Sequence, residues 1–437
     1  MTVEVFPVAP RTISEKADSM CTDELRAWLR TPDAMCFPFG QVIDVYHGVG
    51  KHFVADDILT LLDEARSALP RVRGPWHLLR TIASFLDIAL DKRDGLYEYP
   101  TYLALPLLEL PSLDDPVQQA PFARARCDRL MAQLVSDILG FELAAMEGQA
   151  TALSGSPPAP ALVLKRFRHG LKVLRPVCAR LAVDNGAISG DLLDQARRAH
   201  ALIRADMSPT EQRALALSML PVHTLHDEYM FIRVLQSFET TFALLAVDLQ
   251  VALIALRNRE LQQAIRFLSA AAEALTESAP LFSMIATMQV ESFHIFRRFT
   301  DGASAIQSRN YKFVESLCRR PHTERLNSAA YESVPEVRSR VISGLQSTID
   351  DAYAEAYSRG FRSETDRVEL TAAMTKFSRA MHRWRNTHYR VAVRMLGEVR
   401  GTGQTEGAAY LAAVREIPIF TSVDTPRGTS ISDPPTP

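Results

Sequence analysis

Cysteine is scarce and unpatterned. The five residues, Cys21, Cys36, Cys127, Cys178 and Cys318, are odd in number, far apart and without a CxxC pair. Nothing in that spacing supports a zinc site or covalent cofactor attachment through CxxCH, and it reads as reduced, mostly buried thiols of a cytoplasmic protein. Neither sign of charge dominates: 49 Lys and Arg stand against 51 Asp and Glu, a formal net charge of −2. The basic residues are scattered, so no nucleic-acid partner is expected. No apolar run is long enough for a membrane span. The longest, Phe242–Leu256, is broken by Asp248 and Gln250 and falls short of the ~20 residues a span needs; it reads as a buried helix. The start, MTVEVFPVAPRTIS, carries an acid and two prolines but no basic start or apolar core, and is not expected to be a signal peptide. Glycine is low at 19 residues, strand-like alternation is rare, and no internal repeat is visible.

What is abundant is helical periodicity. Ile58, Leu61, Leu62 and Ala65 recur at three- and four-residue spacing, as do Leu245, Leu249, Leu253 and Leu256, the stripe of a helix with one face buried. The expectation is an all-α fold. With 437 residues, 47% hydrophobic and 23% charged, the chain has material for one large or two ordinary domains. Residues 1–54 look irregular. A helical domain is expected over 55–420, with further helices across 113–220. Residues 421–437, rich in Thr, Ser and Pro, are expected to be disordered.

Four segments carry side chains suited to chemistry, each with a plain structural alternative. His388 lies on a helix, in Trp384-Arg-Asn-Thr-His388, and is either a ligand or an ordinary helix residue. Gly401-Thr-Gly-Gln-Thr-Glu-Gly407 permits close approach to a bound group, but reads equally as a turn between helices. His223 and His226, followed by Asp227 and Glu228, have the types for a metal, yet acids at a helix start also complement its dipole. Arg297, on an otherwise apolar helix, needs a partner if buried: a protein carboxylate or that of a substrate.

In order along the chain, these segments resemble the tryptophan 2,3-dioxygenase superfamily. Tyr99-Pro-Thr-Tyr102-Leu103 resembles its YxxYL, and His226-Asp-Glu-Tyr-Met-Phe231-Ile its HDExxFI. Phe296-Arg297 with Ala303-Ser304-Ala-Ile-Gln307-Ser resembles FR…ASGFQS. Trp384-Arg-Asn-Thr-His388 with Gly401-Thr402-Gly403 resembles WRxRH…GTGGSSG. Arg297 stands ten residues before Gln307, and Thr402 fourteen after His388, as in the family. The resemblance covers Tyr99 to Phe420 apart from 113–220, which it marks as a helical insertion.

The resemblance implies an all-helical haem dioxygenase using haem b, with ferrous iron in the active form, and O2. His388 would ligate the iron from the proximal side, and Trp384 and Ser304 would line the haem. Arg297 would bind the α-carboxylate of an aromatic amino acid. Thr402 would contact its charged end, Phe231 would pack on its ring, and Tyr99 would wall the pocket from a neighbouring subunit of a homo-oligomer, a tetramer or dimer. The reaction implied is cleavage of the indole C2–C3 bond of L-tryptophan to N-formylkynurenine, in the kynurenine pathway. The alternative is a specialised member oxygenating or hydroxylating a modified tryptophan or another aromatic amino acid. Two departures bear on that choice. Leu235 stands where the family has a histidine that hydrogen-bonds the indole N–H, and Glu406 places a charge where serine is usual.

Overall fold

The computed structural model describes residues 15–149, 151–153, 155–183, 190–361, 363–397 and 407–424. Among these, regular structure is helical throughout, apart from a single bridge between Asp33 and Arg73. The all-α expectation holds.

The chain opens with a small helical bundle: α1 (Glu15–Arg30), α2 (Phe39–Val49), α3 (Asp56–Ala68) and α4 (Trp76–Leu90). This corrects the reading of residues 1–54 as irregular, of which 1–14 lie outside the described residues. Cys21, Leu25 and Trp28 sit four and three residues apart and are buried, as are Val42, Ile43, Val45 and Tyr46 of α2. The buried stripes are short, and the segment between α1 and α2 carries Pro32 and Pro38, so the periodicity is easily missed. The bundle has its own apolar core. It is tied to the rest by the Lys51 amide, which donates to the Pro221 carbonyl at 2.8 Å, and by Lys92 Nζ, which donates to the Phe299 carbonyl at 2.7 Å.

A single turn, α5 (Tyr99–Tyr102), leads into α6 (Pro116–Met146), α7 (Pro160–Arg180), α8 (Leu192–Asp206) and α9 (Pro209–Leu217), so the described residues of 113–220 are largely helical. Proline opens α6, α7 and α9, where its missing N–H costs nothing. Asp115, Asp191 and Ser208 cap α6, α8 and α9.

The spine is α10 (His226–Arg257), buried along nearly its whole length. It is long and apolar enough to cross a membrane, yet 89% of its most apolar window is buried inside the protein, which makes it the core helix that Phe242–Leu256 foretold. Around it pack α6, α11 (Leu261–Glu277), α12 (Pro280–Ile285), α13 (Val290–Arg297) and α14 (Arg309–Cys318). Three short helices, α15 (Thr323–Leu326), α16 (Ala329–Glu332) and α17 (Pro335–Ile342), precede α18 (Ile349–Arg359). The long α19 (Glu364–Leu396) packs on α11 and carries α20 (Ala408–Arg415) and α21 (Thr421–Asp424). Order therefore continues four residues into the tail expected to be disordered. Asp350 accepts the Thr421 and Ser422 amides at 2.8 and 3.0 Å. Residues 425–437 lie outside the described residues. Four cysteines are buried, Cys36 is exposed, and all five are free.

A buried ion network joins 113–220 to the start of α10. Arg166 of α7 pairs with Glu142 of α6 and Asp227 of α10, all with side chains 0% exposed. His226 Nε2 meets Glu142 Oε2 at 3.1 Å, and Glu228 accepts the Val222 and His223 amides at 2.7 and 2.9 Å. The hydrogen bonds support the structural reading of His226 to Glu228: Glu228 and Asp227 accept backbone amides near helix starts, and His226 meets Glu142. Among the described residues, no three His, Cys, Asp or Glu side chains form a metal cluster.

Candidate functional site

Between α10, α12, α13, α19 and α20 lies a predominantly apolar cavity of about 260 Å³, partly open to solvent. Tyr99, Phe231, Leu235, Arg297, Ser304, Trp384 and His388 all line it. Seven side chains singled out from four separate segments thus converge on one place. Thr402, with the rest of Gly401–Glu406, lies outside the described residues; Gly407, at positive φ, begins α20 beside the cavity mouth.

His388 sits six turns along α19, where its spacing from Trp384 puts both on one helix face. Trp384 stands 5.1 Å from the His388 ring, and Phe282 stacks on it at 5.9 Å and 23°. Phe238 and Phe242 of α10 pack edge-on against Trp384. Burial in this aromatic box pushes the His388 imidazole down to about 4, because a charged ring would lose its hydration there. The ring is therefore neutral at pH 7, the form that ligates a metal. A single imidazole suits a group that brings most of its own ligands, as haem does. The walls fit as well. The aromatic rings match an apolar macrocycle face, Arg385 supplies positive charge on the lining, and Trp384 Nε1 is a buried donor without a partner.

Arg297 ends α13, half-buried. Burial pulls its guanidinium below the usual value, with Asp301 opposing. Phe231 packs against Phe293 and Phe296 at 5.9 and 5.4 Å, next to Arg297 in sequence. Gln307 explains the ten-residue spacing from Arg297: its Oε1 accepts the Tyr99 amide at 2.9 Å and the Ser304 amide at 3.0 Å, and so pins α5 to the loop after α13. The chain's own Tyr99 therefore lines its own cavity. The clamp is reinforced by the Tyr102 hydroxyl, which donates to Glu228 Oε1 at 3.3 Å.

Sequence reading missed two charged residues of this cavity, Glu239 and Lys312. Both are buried, and burial pushes the Glu239 carboxyl up to about 7 and the Lys312 ammonium down to about 7. Glu239 lies eight residues after Phe231, on the same face of α10; that spacing was the available signal. It also missed Arg385, next to Trp384. Arg385 donates to the Tyr311 hydroxyl at 3.0 Å and to the Ile417 carbonyl at 2.7 Å, which holds α19 to α14 and to the segment after α20.

No protein-family model matches the chain. Curated relatives exist among bacterial proteins named tryptophan 2,3-dioxygenase. That of Paraburkholderia phytofirmans is 26% identical over 232 residues, 46% of this chain and 76% of the relative. That of Bordetella pertussis is 25% identical over 236 residues, 46% of this chain and 83% of the relative. That of Bradyrhizobium sp. BTAi1 is 24% identical over 232 residues. The chain is thus similar, over a little less than half its length, to bacterial tryptophan 2,3-dioxygenases, a similarity that supports a place in their superfamily.

Proposed function

We propose that this protein is a haem-dependent dioxygenase of the tryptophan 2,3-dioxygenase superfamily, acting on an aromatic amino acid. L-Tryptophan, opened at the indole C2–C3 bond to N-formylkynurenine, is the first candidate substrate. The observation that carries the reading is the convergence of neutral His388, Arg297 and Phe231 on one apolar cavity. His388 would hold the haem, with Trp384 and Ser304 beside it. When bound, the haem supplies the activation of O2 and its transfer to the substrate. The protein contributes placement. Arg297 would take the α-carboxylate, Phe231 would face the ring, and Tyr99 would close the wall, which excludes water and fixes the ring relative to the His388 side of the cavity. Leu235 favours a second reading, a specialised member acting on a modified tryptophan or another aromatic amino acid, because an aliphatic side chain offers the indole N–H no acceptor.

The deciding experiment supplies reduced, haem-loaded protein with L-tryptophan and O2 and weighs the product. A gain of two oxygen atoms with loss of the indole spectrum is expected. A normal ferrous haem spectrum without turnover would move the assignment to the second reading, and failure to bind haem would overturn both.

Arg297→Ala should weaken amino-acid binding by about 2 kcal/mol, roughly thirtyfold, the low end for a charge pair because Arg297 is only half-buried. Titration of the unmutated protein with L-tryptophan and with tryptamine checks the contact independently. Equal affinity for the two would remove Arg297 from this role.

A further inference from the structure

The cavity-facing stripe of α10 comprises Phe231, Leu235, Phe238, Glu239 and Phe242. Four of these are apolar. Glu239 is only 1% exposed, and its Oε1 has no hydrogen-bond partner. The rest of the carboxyl is held. Asn310 Nδ2 donates to Oε2 at 3.3 Å, and the Ser308 and Tyr99 hydroxyls stabilise the charged form against burial. These groups come from α14, its N-cap and α5, so the side chain is fixed from several directions while one oxygen is left over.

A buried carboxyl oxygen without a donor costs about 1–3 kcal/mol, and native proteins leave few such atoms unmatched. Glu239 lies about 12 Å along the helix axis from Phe231, one turn beyond Leu235. Phe231 touches the Phe296 ring at the Arg297 end of the cavity. An amino acid anchored at Arg297, with its ring along Phe231 and Leu235, therefore extends its far edge towards Glu239. Near neutrality that carboxyl is divided between its two protonation states, and its ionised form is a strong acceptor.

We infer that Glu239 is the specificity-determining partner of the substrate's ring edge, and that the cavity takes an aromatic amino acid whose ring bears an N–H or O–H donor. This rests on the reading of the cavity as an aromatic-amino-acid site. Leu235 then supplies only packing, and recognition of the ring donor moves one helical turn along α10.

The test measures binding to the haem-loaded protein, by calorimetry and by the change in the haem absorption band, for two matched pairs. L-Tryptophan is compared with its benzothienyl isostere, in which sulfur replaces N–H, and L-tyrosine with L-phenylalanine. In at least one pair the donor-bearing member should bind roughly ten- to hundredfold tighter. Glu239→Leu should shrink that preference to about threefold or less, and Glu239→Gln, whose amide oxygen still accepts, should keep part of it. If the leucine variant fails to fold or to hold haem, the glutamine variant and the wild-type pairs decide. Equal affinity within both pairs in the wild type, or a preference unchanged by substitution, overturns the role of Glu239 and leaves the amino-acid site standing. Failure of all four compounds to bind overturns the amino-acid site as well.

Discussion

Replacing His388 with alanine is expected to abolish the absorption spectrum of histidine-ligated haem while leaving the helical fold intact. Removing a residue that merely orients a metal ligand costs 10–100-fold in metal affinity, so removing the ligand itself should cost more than about 100-fold. The fold should survive for a structural reason. His388 makes no hydrogen bond or ion pair with the described residues, and its ring contacts are with Phe282 and Trp384 on the cavity wall. Truncation therefore enlarges an existing cavity instead of opening a new one in a packed core. Far-UV circular dichroism and the melting temperature should stay close to wild type, and added imidazole should restore much of the ferrous spectrum by occupying the vacated space. An unchanged spectrum in the alanine variant would transfer the ligand role to another residue. Loss of helicity together with the spectrum would make His388 a structural residue.

Much of this site was legible in the sequence because its parts are short, ordered motifs: Tyr99 to Leu103, His226 to Phe231, Phe296 to Gln307, Trp384 to His388. Such motifs can be read even where identity to the three bacterial relatives is 24–26% over 46% of the chain. What escaped reading was whatever depends on tertiary partners. Glu239 looks like a solvent-facing charge in Gln-Ser-Phe-Glu-Thr-Thr until α5 and α14 close over it. Lys312 is equally unremarkable beside Tyr311 until Tyr311, Tyr331 and Glu315 surround it. The N-terminal bundle escaped because α1 and α2 are short and separated by a segment with two prolines, although their buried faces meet α3 and α4 in a continuous core. The clamp on Tyr99 escaped because it is tertiary: the contact between Gln307 and the Tyr99 amide spans 208 residues.

Arg166 ties the stretch 113–220 to α10. Arg166→Ala is expected to destabilise the protein by about 3–5 kcal/mol, the range for breaking a buried ion pair from one side. It strands the carboxylates of Glu142 and Asp227, both fully buried. Denaturant unfolding at pH 7 measures this, and a loss below about 1 kcal/mol would show the network to be dispensable. The pH dependence gives a second check. In the wild type, burial would raise the Glu142 carboxyl, but the His226 hydrogen bond and the Arg166 charge override it and hold the group below its ordinary value of 4.5. Its contribution to stability is therefore present above pH 4.5 and is lost as pH falls through the depressed folded value. Without Arg166 burial gains ground, and acid then relieves the variant before it harms the wild type. The gap between the two should be widest near pH 7 and should narrow towards pH 5. The consequence reaches the cavity. Asp227 Oδ2 also accepts the Gln289 amide at 2.7 Å, immediately before α13, and Phe231 follows Asp227 by one helical turn. The network thus fixes α10 against α13, and with it Phe231 against Arg297. Arg166→Ala should therefore weaken amino-acid binding even at a temperature where the variant is fully folded, although Arg166 does not line the cavity. Unchanged affinity in the folded variant would confine Arg166 to stability.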